Sequence, residues 1–492
     1  MAATSTATSS VANLPDSNKS SKIELKSFGN DDGDQRHYAS DAGEAGVGPS
    51  ESHRLSMIDQ SHSASGPDLT PPESVAERNE SQLPPVDSGK DAYMFLAACF
   101  ALDALVWGFA LTFGVFQDYY STHEPFIGEK NVAVIGTMAM GIMYLDMPIV
   151  FAILQSFPRF KRYSTTIGLV VMCLSLSLSS FARTTMQLIL SQGIGYALGG
   201  SFAYSPTILY MDEWFVKRKG LAFGIMWAGA GLSGVILPIT MQWLLNTYGF
   251  STTLRIWSIA CFILTAPFTF YVKPRIPLSQ APYVRTFNLR FLYRAPFTLL
   301  QAGNILESLG FFLPNIYLPT YARAVVGTSP LLASLTIVLY NVASVFGCVL
   351  MGFIVDRLPV TTCILISTVG ATLGVFVLWG AALNLPLLYV FCVVYGLFAG
   401  SFTSTWPGIM RDVTVKMRGA VDPGMVFACL AAGRGIGNVV SGPLSEALVG
   451  KGAEWHAEWA YGTGFGPLIV FTGVSAALGG LSCVGRVVPN WL

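Results

Sequence analysis

The chain has 492 residues, 12% charged and 52% hydrophobic, and its 29 basic residues balance 29 acidic ones. A soluble domain carries about 25% charged residues, so this composition excludes an ordinary water-soluble globule and requires a bilayer to cover part of the apolar surface. The neutral balance, without a basic stripe or zinc-ligand spacing, argues against a nucleic-acid partner.

The first 90 residues are rich in Ser, Asp, Glu, Pro and Gly and poor in aromatic residues. Such a segment cannot offset its ordering entropy by burying apolar surface. Residues 1–90 are therefore predicted to be a disordered cytoplasmic tail. The tail has no apolar signal-peptide core, so the first hydrophobic run is expected to direct its own insertion.

Twelve apolar runs follow, each near the roughly 20 residues that a helix needs to cross a bilayer. They cover residues 92–117, 132–154, 164–180, 186–211, 221–244, 253–272, 297–317, 331–355, 362–382, 387–410, 425–448 and 466–484. With this division, 23 of the 29 Lys and Arg residues fall on one side and five on the other. The positive-inside rule then places both ends of the chain in the cytoplasm.

An internal repeat relates the two halves of this pattern. Residues 200–206 read GSFAYSP and residues 400–407 read GSFTSTWP, in spans 4 and 10. Spans 5 and 11 continue the match with AGAG at 228–231 and AGRG at 432–435. The repeat predicts two pseudo-symmetric six-helix bundles, at 91–272 and 296–485, joined by a cytoplasmic linker at 273–295 and followed by a C-terminal tail at 486–492.

Several of these segments resemble the fungal monocarboxylate-porter-like branch of the major facilitator superfamily. The resemblance lies in residues 113–120, 195–206, 210–222 and 433–446. It implies an all-α membrane fold of twelve helices and secondary transport by alternating access. Members of this branch carry monocarboxylates, other small solutes or fungal secondary metabolites.

The signature loops of that superfamily are kept in only one half. The second half has Asp356-Arg357 after span 8, and the resemblance implies a gating role for both residues. The loop after span 2, residues 156–162, lacks the corresponding Asp, and span 8 has Cys348 where many relatives have an arginine. Because span 8 lacks that arginine, the resemblance does not identify the transported substrate.

Four ionisable residues stand out within the predicted spans, because an ionisable residue near the bilayer centre costs about 3 kcal/mol on insertion scales and so suggests a function. Asp103, Glu307 and Arg434 lie roughly 14–16 Å from the cytoplasmic edge at 1.5 Å per residue, near mid-membrane. Arg434 is predicted either to bind an anionic substrate group or to pair with Glu307 or Asp103. Asp103 and Glu307 are predicted to carry protons or to act as structural partners, and Asp146, nearer the edge, to serve structure or gating.

Polar and aromatic residues near these charges suggest a cavity for an amphiphilic organic solute. The predicted substrate-binding residues are Arg434 together with Asn304, Trp107, Tyr204 and Trp406. Each aromatic side chain alone also fits simple packing between helices.

The sequence predicts a multi-pass secondary transporter of an organic anion, monocarboxylate or related metabolite, with proton coupling as an open option. Its expected partners are a small anionic or amphiphilic solute and membrane lipid, with no cofactor, no metal and no catalytic residue. Efflux of a fungal secondary metabolite is the alternative. The plasma membrane is the expected location, with the vacuolar membrane as the alternative.

Two other classes of protein compete with this interpretation. A membrane-embedded transferase usually needs histidines or paired acids near the bilayer surface, but all five histidines lie in the tail or in outside loops. A non-transporting nutrient sensor would account for the long tail.

Overall fold

The computed structural model describes residues 83–127, 129, 131–277, 289–417, 421–451 and 458–486. The predicted tail lies outside the described residues as far as residue 82, as does the C-terminal tail beyond residue 486. Residues 1–90 are predicted to be disordered, but residues 83–90 have a defined structure and contact the helical part of the chain. The reason is that the backbone N–H of Asp87 donates to the Trp214 carbonyl at 3.0 Å, and its carboxylate accepts three further N–H groups.

Every regular element in the described ranges is a helix, and a helix stands at each of the twelve predicted spans. We number them α1 to α12. They are α1 (Lys90–Thr122), α2 (Val132–Leu145 and Met147–Ser156), α3 (Pro158–Ser179), α4 (Thr185–Leu188, Ile189–Gly195 and Tyr196–Trp214), α5 and α6 (together Lys219–Thr269), α7 (Ala295–Ala324), α8 (Pro330–Val355), α9 (Val360–Trp379), α10 (Leu385–Lys416), α11 (Pro423–Lys451) and α12 (Gly466–Gly479, then Gly480–Arg486).

Length and composition alone select fewer spans. They pick out eight of the described helices, or nine when the bent α2 is counted as one span. The stretch Lys219–Thr269 holds two spans, because Gly249 breaks it with φ 74° and ψ 171°, a left-handed conformation that favours glycine. α4 and α7 are outside that selection. α7 carries Gln301, Asn304 and Glu307, which are buried or partly buried inside the protein.

Several helices are interrupted by irregular turns or a bend. Wide π-helical turns cover Asp103–Trp107 in α1, Ile189–Gly195 in α4 and Gly374–Trp379 in α9. α2 bends by 46° at Asp146, just before Pro148, which cannot donate a backbone hydrogen bond. Such interruptions are common at functional sites, and that of α1 begins at a predicted site residue.

The first six and the last six helices meet along two helix pairs, α5 with α8 and α2 with α11. In the α5–α8 pair, a Cβ added to Gly220 or Gly224 would lie within 2.5 Å of the carbonyls of Gly352 or Cys348. Further along α5, Gly231 and Gly234 meet the side chains of Val345 and Asn341. We call the contact that these four glycines of α5 make with α8 the glycine seam. We call the side of the protein where α1 begins and α12 ends the terminal face.

Within the first half, α3 and α4 approach so closely that their backbones touch, which gives a stability prediction. A Cβ on Gly199 would lie 2.5 Å from the Met172 nitrogen, so Gly199→Ala should lower stability by about 1–3 kcal/mol through overpacking. Thermal unfolding in detergent measures the loss. Gly442→Ala is the control, because a Cβ there meets nothing within 4 Å; equal melting temperatures for the two variants would contradict the close packing.

Candidate functional site

A central cavity of about 130 Å³ lies between the two halves. Its wall includes four of the predicted substrate-binding residues and one predicted proton-coupling residue. They are Trp107, Tyr204, Trp406, Arg434 and Asp103. From the first half, the Trp107 ring lies 4.5 Å from that of Tyr144 and 5.7 Å from that of Tyr204. The wall is therefore rich in aromatic side chains and has one acidic and one basic side chain.

Arg434 on α11 pairs with Glu307 on α7. Its Nη1 donates to Glu307 Oε2 at 2.9 Å, and the two residues are only 2% and 6% exposed. The guanidinium also lies 4.0 Å from the centre of the Phe311 ring. Of the two predicted pairings for Arg434, the structure therefore shows the one with Glu307.

Arg434 separates its partner from the central cavity. Glu307 instead borders a smaller cavity of about 10 Å³ within the second half, beside Thr368 and Tyr395. A cavity of that size holds about one water molecule. The guanidinium thus has the cavity on one side and the carboxylate on the other.

Asp103 is buried in the first half, with 1% of its surface exposed. Its Oδ2 accepts the backbone N–H of Ala230 on α5 at 2.8 Å. Gly229 allows this approach, because a Cβ there would lie 2.5 Å from the Phe100 carbonyl of α1. Asp103 therefore joins α1 to α5 and borders the cavity at the same time.

Two other predicted residues lie away from the cavity wall. Asn304 donates from Nδ2 to the Leu430 carbonyl at 2.8 Å, so in this conformation it joins α7 to α11 and does not line the cavity as predicted. Asp146, at the bend of α2, accepts the Ser201 hydroxyl at 2.9 Å. That contact lies within the first half.

An aromatic cluster closes the cavity towards the terminal face. It consists of Phe151, Phe223, Trp227, Trp406 and Phe427, and it draws on both halves. The Phe427 ring lies within 6.3 Å of each of the other four. In the opposite direction the cavity wall continues to Leu111 and Asn315, further along α1 and α7.

At the terminal face, Asp356 crosses from the second half to the first. Its two carboxylate oxygens accept the N–H groups of Gly220 and Leu221 at 2.7 and 2.9 Å, so it caps the start of α5. Asp87 caps the preceding residues, accepting the N–H groups of Val216, Lys217 and Arg218. Arg357 lies 3.9 Å from the centre of the Phe353 ring of its own helix, whereas Asp356 reaches the first half.

The Asp356 contact gives a second prediction. Asp356→Asn should weaken the contact, because one of the two acceptor oxygens becomes an NH₂ group that faces a backbone N–H. We expect the terminal face to open more often and a thiol reagent to reach the cavity several-fold faster. Burial raises the pKa of the Asp356 carboxyl, so acidifying the terminal side should have the same effect.

Mass spectrometry of the labelled cavity residue Cys348 measures that rate. Arg357→Gln is the matched control and should label like the unaltered protein. If Asp356→Asn labels at the unaltered rate, the capping contact does not control access.

Sequence reasoning missed several residues of the site. Tyr144, Trp227, Asn341 and Phe427 line the cavity. For Phe427 a signal existed: it stands 204 residues after Phe223, the same spacing that relates Ala432 to Ala228 in the repeat. Within the described residues, no group of three or more His, Cys, Asp or Glu side chains is placed to hold a metal ion.

Comparison with known proteins agrees with this architecture. The family model described as Major Facilitator Superfamily matches residues 93–421 and, in a second match, 300–484. The MFS transporter asaE of Aspergillus flavus is 26% identical over 385 residues, covering 78% of this chain and 85% of that protein.

Two further relatives are named for different kinds of transport. The fujikurins efflux protein of Gibberella fujikuroi is 27% identical over 410 residues, covering 82% of this chain and 83% of that protein. Monocarboxylate transporter 10 of Rattus norvegicus is 27% identical over 407 residues, covering 76% of this chain and 75% of its own length.

Proposed function

The chain belongs to the Major Facilitator Superfamily and is a multi-pass membrane transporter, and from that premise we propose that it moves an amphiphilic organic anion together with a proton. The observation that carries the proposal is the buried pair formed by Arg434, which lines the central cavity, and Glu307 behind it. A charge buried away from water is retained when it is paired, so a change in one partner must affect the other.

The pair suggests a way to couple the two ligands. While Glu307 is ionised, it holds the Arg434 guanidinium at 2.9 Å. A proton on Glu307 removes that attraction and frees the guanidinium, whose fixed donors fit a carboxylate bidentately. Proton and anion then bind together, and both are released together after the halves have moved.

The cavity wall indicates the rest of the cargo. The aromatic rings of Trp107, Tyr144, Tyr204 and Phe311 border the space next to Arg434, so the solute should have an apolar or aromatic body next to its acidic group. Asn341 and Asn315 add hydrogen-bonding groups at the wall.

Export of a secondary metabolite is the second candidate. It is favoured by two relatives that are named as efflux proteins, one for fujikurins and one for agnestins. An acidic metabolite made inside the cell could leave by the same coupled step, because the gradients of solute and proton alone set the direction of such a carrier.

We place the protein in the plasma membrane, with the vacuolar membrane as the alternative, and with both termini in the cytoplasm. In this arrangement the terminal face is cytoplasmic and the structure is closed on that side. Residues 91–272 and 296–485 act as the two moving halves, with 273–295 as the linker. Asp356 is proposed as a gating residue that joins them on that face.

Transport into proteoliposomes tests the function. A panel of aromatic carboxylates, short aliphatic carboxylates and the matching amides is offered with and without a pH gradient. We expect uptake of an aromatic carboxylate that rises with an inward proton gradient, and little uptake of its amide. Equal uptake of acid and amide would contradict the anionic cargo, and uptake that ignores the gradient would contradict the proton coupling.

A further inference from the structure

The terminal face has a second contact between the two halves. Gln155, near the end of α2, donates from Nε2 to Asp422 Oδ2 at 2.5 Å, and the contact is partly buried. Asp422 stands just before α11, and the same Oδ2 accepts the N–H of Met425 at 3.1 Å. This contact therefore joins the end of α2 to the start of α11.

The repeat relates this contact to the one made by Asp356. Gly424 and Met425 stand 204 residues after Gly220 and Leu221, the spacing that relates the rest of α11 to α5. Leu221 donates its N–H to Asp356 from the end of α8, whereas Met425 donates to Asp422 from its own half. The carboxylate stands at the end of α8 in the first contact and at the start of α11 in the second, so the two contacts carry it on different members of the helix pair.

This exchange accounts for the incomplete signature loop of the first half. The connection after α2 has no Asp at the position expected from the superfamily pattern. An amide, Gln155, stands at that end of α2 and donates a hydrogen bond to the carboxylate on the other half. A cross-half hydrogen bond is kept with donor and acceptor exchanged.

The surroundings make the contact sensitive to small movements. A Cβ on Gly424 would lie 2.8 Å from Leu209 of α4 and 3.0 Å from Asp422 Oδ2. One turn deeper in α2, the ring of Phe151 stacks on Phe427 of α11 at 6.3 Å. Separation of α2 from α11 at this face would break the hydrogen bond and part these rings.

We propose that Gln155 and Asp422 are gating residues that hold α2 against α11, and that Asp422 replaces the missing carboxylate of the first-half loop. The proposal rests on the alternating access of the proposed function, but not on the identity of the cargo or on proton coupling. Both contacts, that of Asp356 and that of Asp422, must break for the terminal face to open.

Charge exchange across the contact tests the proposal. Gln155→Glu sets two carboxylates against each other, so the terminal face should open more often. The double variant Gln155→Glu with Asp422→Asn again places an amide donor opposite a carboxylate acceptor. The carboxylate then stands at the end of α2, just as Asp356 stands at the end of α8. Gln155→Ala removes the donor without adding charge. The matched control is Ser156→Glu, one residue along, where the exposed hydroxyl donates only to Ala152 of its own helix.

The measurement is the rate at which an impermeant thiol reagent labels Cys348, which lines the cavity. The full chain is reconstituted in vesicles with the terminal face outward, and the labelled peptide is quantified by mass spectrometry. We expect Gln155→Glu to label about tenfold faster, because the fraction of molecules open at the terminal face should rise about tenfold. Gln155→Ala should label faster by a smaller factor, and the double variant and Ser156→Glu should label within about twofold of the unaltered protein.

Three results would overturn the proposal. They are an unaltered labelling rate in Gln155→Glu and Gln155→Ala, a double variant that labels as fast as Gln155→Glu, and a Ser156→Glu control that also opens. Thermal unfolding of each variant separates opening from loss of fold. Because labelling needs neither cargo nor a proton gradient, a wrong cargo or absent proton coupling would leave this result unchanged.

Discussion

Arg434→Ala should abolish transport of anionic cargo and lower the stability of the protein by about 3–5 kcal/mol, the cost of leaving a buried charge without its partner. Glu307 is only 6% exposed, so its carboxylate would lose its charged partner in a largely buried site. Transport in proteoliposomes and thermal unfolding in detergent measure the two effects separately.

A second variant separates cargo binding from folding. Arg434→Met together with Glu307→Gln removes both charges and roughly keeps the volume, so stability should stay near that of the unaltered protein. Anion transport should still be lost. If Arg434→Ala carried every accepted anion at the unaltered rate, Arg434 would not be the anchor, and its pairing with Glu307 would be purely structural.

Glu307→Gln should uncouple transport from the proton gradient while it preserves binding of the anion. The amide oxygen can still accept the Arg434 N–H, but the side chain carries no charge and takes up no proton. Exchange of labelled for unlabelled cargo should therefore persist, whereas accumulation driven by a pH gradient should be lost. Measuring exchange and gradient-driven accumulation in the same vesicles shows whether cargo binding has been separated from proton coupling.

The control for this variant is Glu446→Gln, because Glu446 is an exposed carboxylate further along α11. It should accumulate cargo like the unaltered protein. If Glu307→Gln also retains gradient-driven accumulation, Glu307 does not carry the proton, and Asp103 becomes the next residue to test in the same pair of assays.

Counting along the spans located the charged part of the site well. Asp103 and Arg434 both border the cavity, whereas Glu307, predicted at a similar depth, lies behind Arg434 beside a smaller cavity. The twelve helices themselves followed from apolar runs in the sequence, although the length and composition of the described helices select neither α4 nor α7.

Side-chain direction around a helix could not be predicted in the same way. Asn304 stands one turn before Glu307, yet it bonds to the Leu430 carbonyl away from the cavity. Whether such a residue faces the cavity or a neighbouring helix depends on tilt and close packing, which one sequence does not encode locally. The ordering of residues 83–90 was missed for a related reason, since Asp87 finds its partners at 216–218, more than a hundred residues away.

The glycine seam between α5 and α8 bears on the rate at which the two halves can move. Where Gly224 meets the Cys348 carbonyl and Gly352 meets the Gly220 carbonyl, backbone lies against backbone, so the two helices can pivot there with few changes of rotamer. Friction between the halves should then be low along this line. The activation barrier to alternation would reside in the aromatic cluster and in the hydrogen bonds at the terminal face, which makes turnover sensitive to a few side chains and nearly insensitive to the long interface between them.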